Sequence, residues 1–354
     1  MKKKFFKIIG LALAATLFVG CGSKSADNGG QSAGNNDKLI VYSNAVGQGR
    51  GDFIKEYMKG KGIDIEVVDL GGNALSNRLI AEKGSPIADV VFGLNEMVFR
   101  QIESQADGIW KEYEPAWKDK LDPNTIPEGG RFYPFNEARV FMVYDKNRTK
   151  DPVKDWVDIS NREDLKEKYL VPDSLSGQTS NAILYNILTN YVDKNGDLNI
   201  SEEGWKTLEK YFNNGAVTTE GQTPGGELVN GRVDYIYTWL SNVPILEKEF
   251  NVSLGVVNPP YGVPQTFEQI GIINKKNVKA KAQEFVDLLG GEELMSQMAE
   301  KFGYVPANKD AQSKINSRVK EILDQTVPQK NDFKFIGENI ESWVEKVELN
   351  YLGK

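Results

Sequence analysis

The chain has 354 residues, 40% of them hydrophobic and 26% charged, with a formal net charge of −7. That is the composition of an ordinary globular protein, and its acidity without a basic run excludes nucleic acid as a natural partner. One cysteine and no histidine leave no intramolecular disulfide, no Cys-based metal site, no His-dependent triad and no spare Cys nucleophile.

The first elements are a leader and a tether. Lys2, Lys3, Lys4 and Lys7 precede a mostly apolar run, Ile8 to Val19. The run is too short to span a bilayer, which takes ~20 residues, and reads as the core of a signal peptide over 1–20. It ends at Phe18-Val19-Gly20-Cys21, which resembles the lipobox cleaved before cysteine in bacterial lipoproteins, with Phe18 bulkier than the usual residue there. The resemblance implies a lipid on Cys21 and a protein held on the outer face of the cell membrane. Residues 21–37 are rich in Gly, Ser, Asn and Asp and read as a flexible tether.

Lys38 to Ser43 (KLIVYS) predicts a strand. A Gly-rich turn, a helix over Asp52 to Lys59, a strand over Ile63 to Leu70, a helix over Ala74 to Lys83 and a strand over Ala88 to Phe92 follow. This order implies right-handed crossovers and a parallel sheet, with functional loops at the carboxyl ends of its strands. Phe132 to Tyr144 predicts an extended segment leaving this first unit. A second α/β unit has helices over Asn181 to Tyr191 and Glu202 to Phe212, and strands over Arg232 to Trp239 and Val252 to Val257. Phe267 to Ile273 predicts a strand returning to the first unit, and helices fill Lys279 to Leu289, Glu292 to Phe302 and much of the tail. A chain that leaves a lobe and comes back makes two lobes joined by several hinge strands. The expected fold class is therefore α/β, with two lobes and mixed, mostly parallel sheets. Lobe 1 spans 38–135 and 262–308, lobe 2 spans 136–261, and C-terminal helices occupy 309–354.

Several segments, in order and over nearly all of the chain past Cys21, resemble the extracellular solute-binding proteins of ABC importers. They are LIVYSNAVGQG, NRLIAEKGSPIADVVFGLNE, FYPFNEARVFMVYDKN, VPDSLSGQTSNAILYNIL, NPPYGVPQTFEQIGIINKKNVKAKAQEFVDLL and GYVPAN. The branch they resemble includes ferric-ion, thiamine, aminoethylphosphonate and sugar-phosphate binders. The resemblance implies a type II periplasmic-binding-protein fold that closes on a small-molecule solute and hands it to a permease with its ATPase. It implies a monomer that is no enzyme and carries no cofactor, ferric ion being one conceivable cargo.

Candidate ligand groups fall at loop ends. Ser174, Ser176, Gly177, Gln178 and Thr179 precede or open a helix, where free N–H groups suit a phosphate or carboxylate; plain N-capping is the alternative. Ser43 and Asn44 end the first strand, and Arg50 in the Gly-rich turn is either an anion partner or a solvated surface cation. Asn73 and Ala74 open another helix, and Asn95 and Glu96 end the third strand. Tyr237, Trp239, Ser241 and Asn242 close a second-lobe strand, where an aromatic can stack on a ring or cation or simply fill the core. Tyr261 and Glu268 flank the returning strand.

Ferric binders of this family generally use a tyrosine pair where Ser241 and Asn242 stand, so iron is disfavoured. Tyr235 and Tyr237 share a strand face and read as sheet residues. Asp193 to Ser201 matches an EF-hand loop at several positions, but Leu198 replaces the glycine and Gly204 the bidentate glutamate. A polar loop between helices is the better reading. The favoured solute is a small organic anion such as a phosphonate, sugar phosphate or thiamine phosphate, with thiamine and ferric ion behind it. The rival classes are a surface adhesion lipoprotein and a hydrolase using Glu96 and Asp173 as paired carboxylates.

Overall fold

A computed structural model describes residues 38–352. The signal segment, Cys21 and the tether lie outside the described residues. Within them no helix is long and apolar enough to cross a membrane.

The N-terminal part alternates as its sequence pattern requires: β1 (Leu39–Ser43), α1 (Arg50–Gly60), β2 (Ile65–Asp69), α2 (Gly72–Ala81) and β3 (Val90–Asn95). Both β2 and β3 pair in parallel with β1. Helix α3 (Glu96–Gln105) follows β3 without a loop, because Asn95 ends the strand and its side chain accepts from the Val98 N–H at 3.1 Å. After the short β4 (Trp110–Lys111), β5 (Phe132–Asp145) carries the chain out of this lobe. Its first half pairs with the returning strand, and its second half pairs with two strands of the other sheet.

The second lobe contains α4 (Trp156–Ile159), α5 (Gln178–Leu188), β6 (Val192–Asp197), α6 (Glu202–Asn214), α7 (Pro224–Asn230), β7 (Tyr235–Trp239), α8 (Val243–Phe250) and β8 (Leu254–Val256). The return strand is β9 (Gln265–Ile273), followed by α9 (Ala280–Leu289), α10 (Glu292–Phe302), β10 (Val305–Pro306), α11 (Ser317–Gln325) and α12 (Phe333–Asn350). The sheets are mixed: among the named strands only β1, β2 and β3 pair in parallel with one another, beside isolated parallel bridges at Tyr169–Tyr235, Leu170–Ala216 and Val263–Pro328. Strands β5 and β9 cross between the lobes in opposite directions, so they pair antiparallel with each other and with their neighbours. The expectation of mostly parallel sheets is corrected to that extent.

Packing follows the two sheets. One cluster joins Leu39, Val41, Phe92, Phe135, Phe285 and Met298 around the first sheet. Another joins Trp156, Tyr169, Ile183, Leu208, Tyr211 and Tyr235 in the second lobe, and α12 adds Ile336, Trp343 and Val347 to it. Each such large side chain contributes on the order of 2 kcal/mol by leaving water. Helix α12 also reaches the first lobe, where the Gln101 amide on α3 donates to the Glu341 carboxylate.

Candidate functional site

A cavity of about 210 Å³ lies where the lobes meet, over the crossing strands. The first lobe supplies Asn44 and Ala45 past β1, Arg50 opening α1, Gly93 in β3 and Tyr304 before β10. Strands β5 and β9 give Asn136, Glu137, Thr266 and Glu268. The second lobe supplies Gln178 and Thr179 opening α5, and Trp239 and Ser241 at the end of β7. Gly93 has a backbone that suits only glycine: its φ is +102°, and a Cβ there would sit 2.6 Å from Asn44 Oδ1.

The lobes touch across this space. Gln48 Nε2 donates to Asn242 Oδ1 at 3.1 Å, Arg50 Nη2 to Ser241 Oγ at 3.4 Å, and the Asn95 N–H to Gln178 Oε1 at 3.3 Å. Gln48 holds a left-handed φ of 57° beside Gly49 at 80°, a strained corner that aims its side chain over the cleft. In the described conformation the two sides of the cleft are thus in direct contact.

Arg50 is the electrostatic centre. It is 7% exposed, and its guanidinium lies 5.6 Å from the Tyr304 ring centroid and 6.0 Å from that of Phe302. Among the described residues it has no carboxylate within ion-pair distance, and its Nε is buried without a partner. A buried cation normally has an anion beside it, because desolvating a lone charge is costly. The other charges around the cavity are muted. Glu137 is paired with Arg139 at 2.6 Å. Glu268 is half-buried and accepts from Asn136 Nδ2 at 2.9 Å. Burial pushes its carboxyl up to about 7, against the downward pull of the Asn136 bond and of Arg50. Burial, and then the Glu268 charge, also raise the Tyr304 phenol, whose hydroxyl donates to the Ala45 carbonyl at 3.3 Å.

Helix α5 begins at this cavity with Gly177 as N-cap and no side chain capping it. Its free N–H groups and the partial positive charge of its first turn therefore add to Arg50. The cavity thus brings together one buried guanidinium, an uncapped helix start, the Glu137 and Glu268 carboxyls and several neutral hydrogen-bonding groups.

Of the residues singled out in the sequence, Asn44, Arg50, Gln178, Thr179, Trp239, Ser241 and Glu268 line this cavity. Asn73 and Asn95 line an adjoining chamber that shares Gln178. The others are placed elsewhere. Ser43 is fully buried and its Oγ accepts from the Ala45 N–H at 3.0 Å, shaping the turn. Ala74 is exposed on α2. Glu96 sits in the first turn of α3 and holds Arg100 at 2.7 Å. Ser174 and Ser176 are exposed and bonded to each other at 3.0 Å, because the loop turns away just before Gly177 caps α5. Tyr237 packs against the second-lobe clusters, and Asn242 is engaged by Gln48 and Thr238. Tyr261 donates to Asp155 at 2.6 Å, away from the cavity. Asn136, Thr266 and Tyr304 were missed, although all three lie in segments that carry the family resemblance.

Neither proposed metal reading gains a ligand set. Tyr235 is buried with its hydroxyl accepting from the Val153 N–H at 3.1 Å, and burial pushes the Tyr237 phenol up to about 12. The Asp193 to Ser201 segment is not a plain loop between helices, since β6 runs to Asp197 and turns back on Ile200; in it Lys346 holds the Asp197 carboxylate at 2.5 Å and Ser201 caps α6. Among the described residues no group of three or more acidic side chains could hold a metal ion.

Two α/β lobes joined by crossing strands, with a polar cavity where they meet, are the architecture of two-lobed binding proteins. The chain belongs to the bacterial extracellular solute-binding protein family, whose model matches residues 52–322. It is 29% identical over 315 residues to the probable ABC transporter periplasmic-binding protein y4fP of Sinorhizobium fredii, covering 88% of this chain and 86% of that one. Among solved structures it is similar to the apo ferric ion-binding protein A of Pasteurella haemolytica, with a TM-score of 0.74, 16% identity and coverage of 88% and 97%. It is also similar to the periplasmic binding protein AfuA of Actinobacillus pleuropneumoniae, solved with fructose-6-phosphate bound, with a TM-score of 0.72, 17% identity and coverage of 90% and 99%. The protein is the solute-binding component of an ABC import system, a non-enzymatic part that takes a small-molecule ligand and works with a permease.

Proposed function

We propose that the solute is a small organic anion with a phosphate-like or carboxylate head, held between Arg50 and the first turn of α5 and delivered to the permease. The observation that carries this reading is Arg50: a buried guanidinium without a carboxylate partner, facing a cavity beside an uncapped helix start. Thr179 and Ser241 add hydroxyls, and Trp239, 37% exposed, offers a ring face at the rim. Iron, carried by relatives named for it, fits less well, since the tyrosines near the cavity are bonded or have raised phenols that resist becoming phenolate. A cationic ring such as thiamine would have to lie beside the unpaired Arg50.

The same proposal places the chain on the outer face of the cell membrane as a monomer tethered through a lipid on Cys21. Cys21→Ser should release it to the medium, and retention in the membrane fraction would refute the anchor. The cargo is tested by a thermal-shift panel of phosphonates, sugar phosphates, thiamine species and ferric citrate. A ligand that binds the native state raises the melting temperature. Stabilisation by phosphate-bearing compounds is expected; stabilisation by ferric citrate alone would overturn the reading.

A further inference from the structure

Helix α12 is fixed to the second lobe along one face. Ile336, Trp343 and Val347 are fully buried in that lobe's core, and the Trp343 N–H donates to the Leu198 carbonyl at 2.9 Å. Asn199 Nδ2 donates to Asn339 Oδ1 at 2.8 Å, and the Leu175 N–H to Glu348 Oε1 at 3.2 Å. The chain entering the helix is pinned to the same lobe, where Gln329 Nε2 donates to the Asn186 carbonyl at 3.0 Å. A rotation of the second lobe therefore carries α12 with it.

The neighbouring face of α12 meets the first lobe. Gly337, Ile340, Glu341 and Val344 recur at helical spacing and line a chamber that Met97, Val98 and Gln101 of α3 also line. Helix α3 is held as firmly in the first lobe: Phe99 and Ile102 are fully buried in its core, and Asn95 caps the helix. Met97 leaves that core and packs against the second-lobe cluster. One turn further along the same side of α3, the Gln101 amide donates to the Glu341 carboxylate. Phe333, at the start of α12, shares a crevice with Met97 and with Phe267 of β9. An apolar plug with a hydrogen bond beside it thus joins one rigid element of each lobe.

This contact differs from the others that cross the cleft. The bonds made by Arg50 and Gln178 involve side chains that line the anion cavity. Met97, Gln101, Ile340 and Glu341 lie outside that lining, so they meet without a solute between them. The lobes are linked by β5 and β9, and a change of angle there makes or breaks the contact between α3 and α12. We propose that α12 is a clasp whose grip on α3 holds the lobes together before a solute arrives. The fraction of molecules with the lobes together scales the apparent affinity for any solute that needs both. That fraction is then set in part by residues that touch no solute, whatever the cargo is.

Pulsed electron–electron resonance reads the lobe separation with no solute added. It uses extensively dialysed full-length mature chain carrying Cys21→Ser, with nitroxide labels at Lys55→Cys on α1 and Glu249→Cys on α8, both exposed positions. This starting protein should show mainly the short distance. Met97→Ala removes the plug, and Gln101→Glu sets two carboxylates against each other. Each should raise the ratio of long to short distances about threefold or more, a size ordinary for partly exposed contacts. Adding Glu341→Gln to Gln101→Glu rebuilds the bond with donor and acceptor exchanged, and should bring the ratio back to its starting value. Gln101 is half-buried and Glu341 exposed, so this exchange leaves both cores intact and decides the matter even where Met97→Ala fails to fold. A long distance predominating in the starting protein, a ratio that none of the variants moves, or a double variant that stays as open as Gln101→Glu overturns the clasp.

Discussion

Replacing Arg50 with methionine should separate binding from stability, because the two respond with opposite sign. The guanidinium is buried, lacks a carboxylate partner and leaves Nε unsatisfied, with one long bond to Ser241 and the faces of Tyr304 and Phe302 around it. Its hydrogen bonds to an anionic ligand would be charge-assisted, worth about 1.5–3 kcal/mol. Their loss should therefore weaken anion binding by roughly ten- to a hundredfold. In the ligand-free protein the same change removes a desolvated charge and keeps an apolar stem of similar reach. Replacing buried charge with apolar volume is often neutral or stabilising by ~1–4 kcal/mol. The ligand-free melting temperature should hold or rise by a few degrees at pH 6, where Glu268 is mostly protonated. Calorimetry measures the first effect and differential scanning calorimetry the second. Undiminished affinity, or a melting temperature several degrees lower, would show that Arg50 is a structural residue and refute the reasoning.

Other outcomes follow from the same geometry. Glu268 has its native carboxyl raised to about 7 from an ordinary 4.5, so its protonated form favours the native state at low pH, and that contribution is lost as pH rises through about 7. Ionisation also adds a negative charge to a site faced by Arg50, by Tyr304 and by the Glu137–Arg139 pair. Anion affinity should therefore fall from pH 6 to 8 by roughly tenfold, as one charge at ~10 Å produces at an effective dielectric of ~20. Glu268→Gln should remove that dependence. A ligand phosphate's own ionisation near pH ~6 is common to both proteins and cancels in the comparison, so identical pH profiles would count against the role of Glu268. Thr179→Val should weaken the anion about five- to tenfold through a lost hydrogen bond of ~1 kcal/mol, whereas Ser176→Ala should be silent; the reverse order in calorimetry would contradict the placement of the two side chains. Trp343→Ala removes a fully buried indole whose N–H donates to the Leu198 carbonyl at 2.9 Å. A loss of ~3–5 kcal/mol is expected in urea denaturation, and a loss below ~1 kcal/mol would show that α12 is not anchored as described.

What the sequence made legible was local. The strands β1, β2 and β3 announced themselves as short β-branched runs between Gly-rich turns, and their right-handed crossovers dictated parallel pairing. Helix α3 escaped notice because Asn95 is at once the last strand residue and the helix cap, so no turn chemistry separates the two elements. The antiparallel partners of β3 and β5 depend on β9, more than a hundred residues away, and no local pattern encodes such pairing. The site divides the same way. Asn44, Gln178 and Thr179 line the cavity, and their places at a strand end and a helix start are visible in the pattern. Whether Arg50 is solvated or buried is decided by Phe302, Tyr304 and Ser241, which only the fold brings near. Asn136 and Glu268 face the cavity from the crossing strands, where an alternating pattern says which residues share a face but not that the face lines a cleft. Ser174 and Ser176 do not line the cavity, because the loop that holds them turns away just before α5 begins.

The most direct test of an anion site between the lobes is a crystal structure of the complex with whichever panel anion gives the largest thermal shift. The account predicts its anionic head within hydrogen-bond distance of the Arg50 guanidinium and the first turn of α5, with both lobes in contact with the solute. A head bound elsewhere, or a ferric ion held by tyrosines with Arg50 turned to solvent, would contradict it.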